Sequence, residues 1–127
     1  MNAVSPLAPA AFPDLPAVPG VMLYAYAAKL RYSGRPDLFL AVMAEGTTVG
    51  GVFTTSACAS APVDWCKQIL SAGAARAVVC NAGNANAFTG AAGAASVHAE
   101  VEALRTSLGV PADQIYVAST GVIGEPL

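Results

Sequence analysis

The sequence predicts a mixed α/β fold built as one domain, and three observations carry that expectation. Of the 127 residues, 55% are hydrophobic and 11% are charged, enough apolar surface to bury a core in a chain of this length. Short β-branched or apolar runs bounded by turn residues read as strands, and two stretches with apolar residues at helical spacing lie among them. The expected order is β, β, β, α, β, α, β without an internal repeat, which fits helices layered on a sheet.

The first 20 residues carry five of the nine prolines, which fix an extended backbone and remove donors, so residues 1–20 are expected to lie as an arm over the surface. Residues 21–127 then form the single domain. Residues 21–31 and 37–45 are apolar runs flanking Ser33-Gly34-Arg35-Pro36 and read as a β-hairpin. Residues 47–55 (TTVGGVFTT) are β-branched around Gly50 and Gly51 and read as a third strand. Pro62 suits a helix start, Val63, Cys66, Ile69 and Leu70 fall on one stripe, and Gly73 is a stop. Residues 75–81 (ARAVVCN) have the character of a buried strand, and 82–93 read as a glycine and asparagine loop. A second helix is expected over 94–108 with Val97, Val101, Leu104 and Leu108 on its apolar side. After a turn at 111–114, residues 115–118 form a last strand that runs into Ser119-Thr120-Gly121.

Charge excludes some partners. Six Lys and Arg stand against eight Asp and Glu, for a net charge of −2, and no two basic residues are adjacent, so nucleic acid is not an expected partner. Three cysteines make no disulfide framework and contain no C-x-x-C pair, which fits a reducing, cytoplasmic setting. Prolines interrupt the start where a secretory signal would need an apolar run, and no apolar span is long enough for a membrane helix. A soluble protein is expected.

Four groups of residues are candidates for chemistry. Cys58, Cys66, Cys80 and His98 are 8, 14 and 18 residues apart, unlike the short paired spacing of zinc ligands, so no metal is expected; buried thiols and a surface histidine explain them better. Burial should also make Cys80 inert. The loop from Asn81 to Gly93 places three asparagines between a strand and a helix, where Asn84 and Asn86 can point amides at a polar ligand or, alternatively, bond their own loop. It is not a nucleotide P-loop, since no lysine follows either Gly90 or Gly93. Ser119-Thr120-Gly121 at a strand end can present a hydroxyl and backbone N–H groups to a developing negative charge, although spacing alone favours a plain turn. Arg31, Arg35 and Asp37 read as a solvated ion pair.

Taken together, GVFTT at 51–55, APV at 61–63, ARAVVCNAGNANAFTG at 75–90 and STGVIGEPL at 119–127 resemble the bifunctional ornithine acetyltransferase family, also called glutamate N-acetyltransferase. The Pro-Gly end of the arm at 19–20 and SGRPDLFL at 33–40 fall in the family's order. The resemblance implies a layered αββα sandwich of the N-terminal-nucleophile-like type, of which residues 21–127 are an incomplete part of the α chain. It implies arginine biosynthesis: an acetyl group moves from N-acetylornithine, or in some members acetyl-CoA, to glutamate through an acetyl-threonine intermediate. It implies no cofactor. The nucleophile is the N-terminal threonine of a β chain released by self-cleavage, with an α2β2 assembly, and is expected to be absent from this chain. Thr120 and Gly121 match the family's oxyanion pair, and the loop asparagines Asn84 and Asn86 are the expected substrate contacts. The alternative is a scaffold or regulatory chain that lacks the nucleophile.

Overall fold

In a computed structural model, which describes residues 6–11 and 13–127, the apolar runs on either side of the first turn pair as strands. Val21–Tyr26 (β1) and Leu38–Met43 (β2) are antiparallel, with Val21 opposite Met43 and Tyr26 opposite Leu38. Both are shorter than the apolar runs, and β1 stops at Tyr26 because residues 28–31 wrap a buried carboxylate. Asp37 accepts hydrogen bonds from the backbone N–H groups of Ala28 (2.7 Å), Lys29 (3.2 Å), Leu30 (2.7 Å) and Arg31 (3.5 Å). Burial pushes its carboxyl up, but these donors outweigh that cost and hold it below the ordinary carboxylate value. Asp37 is thus no solvated ion pair: Arg35 lies over the Tyr32 ring and Arg31 pairs with Glu125 instead. Of the expected arm, residues 6–11 and 13–20 are exposed and contain no strand or helix; residues 1–5 and 12 lie outside the described residues.

The third strand expected over 47–55 does not form. Thr48 makes a single bridge to Ala74, and beyond it Gly50 and Gly51 offer no side chains to pack and lose the most backbone freedom on ordering. The segment instead folds back as irregular chain and lays Val49 and Phe53 against a small cluster of Cys66, Ile69, Ala75 and Tyr116.

Helix Ala61–Ile69 (α1) starts at the expected proline and ends through a 3-10 turn, Leu70–Ala72, at Gly73 in the left-handed region. Strand Ala77–Asn84 (β3) pairs antiparallel with β2. Helix Gly90–Leu108 (α2) then crosses over to Ile115–Val122 (β4), which runs parallel to β3, giving a sheet in the order β1-β2-β3-β4.

Alternation assigns the faces. Ala77 and Val79 of β3 with Ile115 and Val117 of β4 meet Val97 and Val101 of α2 in the main core, which Leu38 and Leu40 extend. Each such branched side chain contributes about 1.5–3 kcal/mol when fully buried. Helix α1 covers the free edge of β4: the Trp65 indole N–H donates to the Ile115 carbonyl (2.8 Å) and the Cys66 thiol to the Val117 carbonyl (3.3 Å). An edge that would otherwise recruit another strand is thereby capped.

On the opposite face Ala25, Phe39, Cys80 and Ala118 form one cross-strand row. No described helix covers that row, and β1 is exposed along nearly its whole length, with Leu23 66% and Tyr26 68% accessible. The α/β class holds, with α2 layered on one face of the sheet and the second face covered at Val78 and Tyr116 by Val49, Phe53, Cys66 and Ile69 but open along the row of Ala25, Phe39, Cys80 and Ala118.

Candidate active site

The parallel strands β3 and β4 finish side by side, and strand ends of this kind are where α/β sheets place ligands. Both strands run further than the sequence suggests, β3 to Asn84 and β4 to Val122, so Thr120 and Gly121 lie within a strand and not in a turn after it. Gly121 faces Gly83 directly, and the ladder is irregular there, with Asn84 opposite both Thr120 and Val122. The two glycines hold φ of +138° and +119°. A Cβ on Gly121 would stand 2.5 Å from the Gly83 oxygen and 2.6 Å from the Asn84 nitrogen. Only glycine lets the two backbones approach this closely.

Thr120 and Gly121 are exposed. Thr120 lies on the same face as the exposed Ala118, opposite Ala82 and beyond Tyr116, which is buried against Cys66 and Ile69, whereas Ser119 turns inward and its hydroxyl is buried without a partner among the described residues.

The asparagines have the other character. Asn84 is 7% and Asn86 0% exposed. The Asn84 amide donates to the carbonyls of Glu125 (2.8 Å) and Pro126 (3.2 Å), and its oxygen accepts the Asn86 N–H at 2.7 Å. Asn86 donates to the Gly93 carbonyl (3.0 Å) and accepts from the Thr89 hydroxyl (2.7 Å), while Asn81 donates to the Asn84 carbonyl at 2.9 Å. Loop bonding is the commoner use of such asparagines and the resemblance implies substrate contact; in the structure these amides bond the loop's own backbone and the segment after β4. The Asn86–Thr89 pair presses on the first turn of α2, where a Cβ on Gly93 would collide with both side chains. Helix α2 begins at Gly90, ahead of the expected residue 94, and Gly93 leaves room for this pair in its first turn.

A separate cleft of about 320 Å³ opens between α1 and α2, walled by Trp65, Phe88, Thr89, Val97 and His98, and neither Thr120 nor Gly121 lines it. His98 stands edge-on to Trp65 with centroids 5.3 Å apart. Cys58 is exposed, unlike the buried thiol the sequence suggests, while burial raises the thiol pKa of both Cys66 and Cys80. Among the described residues no three His, Cys, Asp or Glu side chains are grouped to hold a metal ion, and no helix is long and apolar enough to cross a membrane.

Two features escape a reading of the sequence: the stem of Arg31, whose Cβ would lie 2.6 Å from a Cβ on Gly83, and the closing segment 123–127 that the loop holds. A glycine in each of two adjacent parallel strands is the signal that could have exposed the close approach.

Residues 22–127 match the profile of the ArgJ family. The chain belongs to that family. The arginine biosynthesis bifunctional protein ArgJ of Bradyrhizobium diazoefficiens is 52% identical over 126 residues, 99% of this chain, and that of Nitrobacter winogradskyi is 53% identical over 130 residues, also 99%. The chain corresponds to the N-terminal part of these ArgJ proteins and spans about 30% of their length. Two solved structures superpose with a TM-score of 0.81 over 86% of this chain. One is the Bacillus halodurans arginine biosynthesis bifunctional protein, 26% identical with 57% of its chain covered. The other is the Mycobacterium tuberculosis ornithine acetyltransferase in complex with ornithine, 39% identical with 60% covered. The resemblance drawn from the NAGNANAFTG and STGVIG strings holds at the level of the ArgJ family, and so does the layered α/β fold.

Proposed function

We propose that this chain is part of the α chain of an ornithine acetyltransferase, and that Thr120 and Gly121 supply its oxyanion hole. One observation carries the reading: these two residues stand exposed at the end of β4, next to the row of Phe39, Cys80 and Ala118 that no described helix covers. A partner covering that face can bring a nucleophile to them. In this reading residues 21–127 are an incomplete catalytic domain with residues 1–20 as its arm. A β chain with an N-terminal threonine completes it, in an α2β2 assembly in the cytoplasm.

The reaction then follows in two balanced halves. The threonine oxygen attacks the acetyl carbonyl of N-acetylornithine and its hydroxyl proton is carried off. The carbonyl electron pair moves onto oxygen, where the Thr120 hydroxyl and the Gly121 N–H donate to it. Collapse breaks the C–N bond, and the ornithine amine leaves with a proton, so the threonine keeps the acetyl group as an ester. The glutamate amine attacks that ester, the same donors meet the second oxyanion, and the C–O bond breaks as threonine regains its proton. Donors aimed at the oxyanion lower the barrier most because the charge they meet is greatest in the transition state. The ornithine bound to the Mycobacterium tuberculosis relative supports the substrate class.

The test is a hybrid enzyme in which this chain replaces the matching N-terminal segment of the Bradyrhizobium diazoefficiens ArgJ protein. Acetyl transfer from N-acetylornithine to glutamate is expected, and Thr120→Ala should lower kcat by about 10²–10³, or about 2.7–4 kcal/mol, with little change in KM. Normal kcat with raised KM would make Thr120 a ground-state contact and remove the oxyanion assignment. A folded hybrid that transfers no acetyl, beside an active parent, would make the chain a non-catalytic scaffold.

A further inference from the structure

We infer that Asn84 is a positioning residue for the Thr120–Gly121 pair, a clasp between the asparagine loop and the segment that follows β4. The inference rests on the oxyanion reading and explains how two exposed residues at a strand end keep one geometry.

Gly121 sits at a φ of +138°, and because a glycine backbone is free to adopt other conformations, only its neighbours can fix it there. Upstream the β3–β4 ladder does this. Downstream, the ladder ends at Val122 and the chain is tied by other means. The Asn84 amide reaches the Glu125 and Pro126 carbonyls at 2.8 and 3.2 Å, while its oxygen anchors the Asn86 N–H at 2.7 Å. Two backbone bonds join the same segments, from the Ala85 N–H to the Val122 carbonyl (2.8 Å) and from the Gly124 N–H to the Ala87 carbonyl (2.9 Å). Arg31 reinforces the tie at the surface, its stem against Gly83 and its guanidinium on the Glu125 carboxylate at 2.6 Å. Asn84 therefore holds Gly121 from both sides: its backbone faces Thr120 and Val122 across the irregular pairing, and its side chain grips the chain beyond. With both polar side-chain atoms spent on backbone and 7% of its surface exposed, it is placed to orient the donors and not to touch substrate.

The experiment uses the same hybrid enzyme. Asn84→Asp keeps the shape and the acceptor for the Asn86 N–H but removes the donors to Glu125 and Pro126. A misplacement on the order of 1 Å costs up to about 10²-fold, so kcat should fall about 10- to 100-fold with KM for N-acetylornithine within about twofold. Because the residue acts through Thr120 and Gly121, the loss should be less than additive in a Thr120→Ala background, the remainder acting through the surviving Gly121 donor. A fully additive loss, or a raised KM at unchanged kcat, overturns the inference. Where Thr120→Ala lowers kcat and Asn84→Asp does not, the clasp alone falls; where Thr120→Ala is itself silent, the oxyanion reading falls. If the aspartate variant does not fold, Asn84→Ser decides: serine can still accept from the loop N–H but is too short to reach residues 125 and 126. The same loss of kcat is expected, and wild-type kcat overturns the inference.

Discussion

Replacing Gly121 by alanine tests the geometry of the strand ends through stability, before any turnover is measured. The added Cβ would stand 2.5 Å from the Gly83 oxygen and 2.6 Å from the Asn84 nitrogen, where favourable non-bonded separations are about 3.5–4.0 Å. Both obstacles are backbone, so no change of rotamer relieves them. Holding an L-residue in a sparsely populated φ region costs about 1–3 kcal/mol, and forcing an extra carbon into a filled space typically costs another 1–3 kcal/mol, about 2–6 kcal/mol together. Whole-domain stability is only about 5–15 kcal/mol, so the strand pair should open at this end or the domain lose much of its stability. Native-state hydrogen exchange on the hybrid enzyme reads this directly. Amides at 80–84 and 116–122 should exchange at least about 30-fold faster, the equivalent of 2 kcal/mol. Gly109→Ala is the comparison: its φ is +65°, in the left-handed region, and nothing lies within 4 Å of the new Cβ, so it reads the milder cost of a positive φ without a collision. If Gly121→Ala accelerates exchange around its own site no more than Gly109→Ala does around its own, the close approach is not what demands glycine at residue 121.

Two further outcomes are expected. Expressed without a partner, the chain should self-associate and bind apolar dyes, because Leu23, Tyr26 and Phe39 are exposed on or beside the open sheet; a monomer in sedimentation that melts cooperatively and binds no dye would count against a covering partner. Glu100 should make stability depend on pH: burial pushes its carboxyl from 4.5 up to about 7, and its Oε1 has no partner among the described residues. The folded chain then keeps a proton that the unfolded chain releases, so stability falls as pH rises through that window. Glu100→Gln should abolish the slope and stabilise the protein at pH 8 by about 1–2 kcal/mol once solvent screening of the part-exposed side chain is allowed for. Denaturation of the two proteins at pH 5 and pH 8 checks both the slope and its sign.

Where a segment's apolar pattern had a packing partner close in sequence, that pattern located the element. The hairpin of β1 and β2 and the Val97 and Val101 stripe of α2 follow from the apolar runs, the start of α1 follows from its proline, and Val97 and Val101 lie in the main core. Residues 47–55 misled because β-branched composition measures fitness for a packed, pleated surface, and Gly50 and Gly51 remove that surface in mid-run. Asp37 misled for a different reason. Its partners are backbone N–H groups, which no residue identity announces, so a charged side chain beside two arginines read as an ion pair.

The strand-end site shows the same limit more sharply. Asparagine carries a donor and an acceptor on one short side chain, which makes it equally suited to a ligand and to an unpaired loop backbone, and sequence contains nothing that separates the two. Burial separates them. Asn86 is fully enclosed and spends its amide on Gly93 and Thr89, while Thr120, a few ångströms of strand away from the same loop, meets solvent. In the proposed reading, function and framework are divided between two neighbouring segments: the asparagine loop, whose amides bond backbone, fixes the frame, and the plainer Ser119-Thr120-Gly121 run, exposed at Thr120 and Gly121, supplies the donors. Gly83 and Gly121 join the two, since without side chains they let the loop's strand and the donor strand pack backbone to backbone. A change in the asparagine loop should therefore be felt at Thr120 through kcat and not through substrate affinity, the split that the Asn84 variants measure.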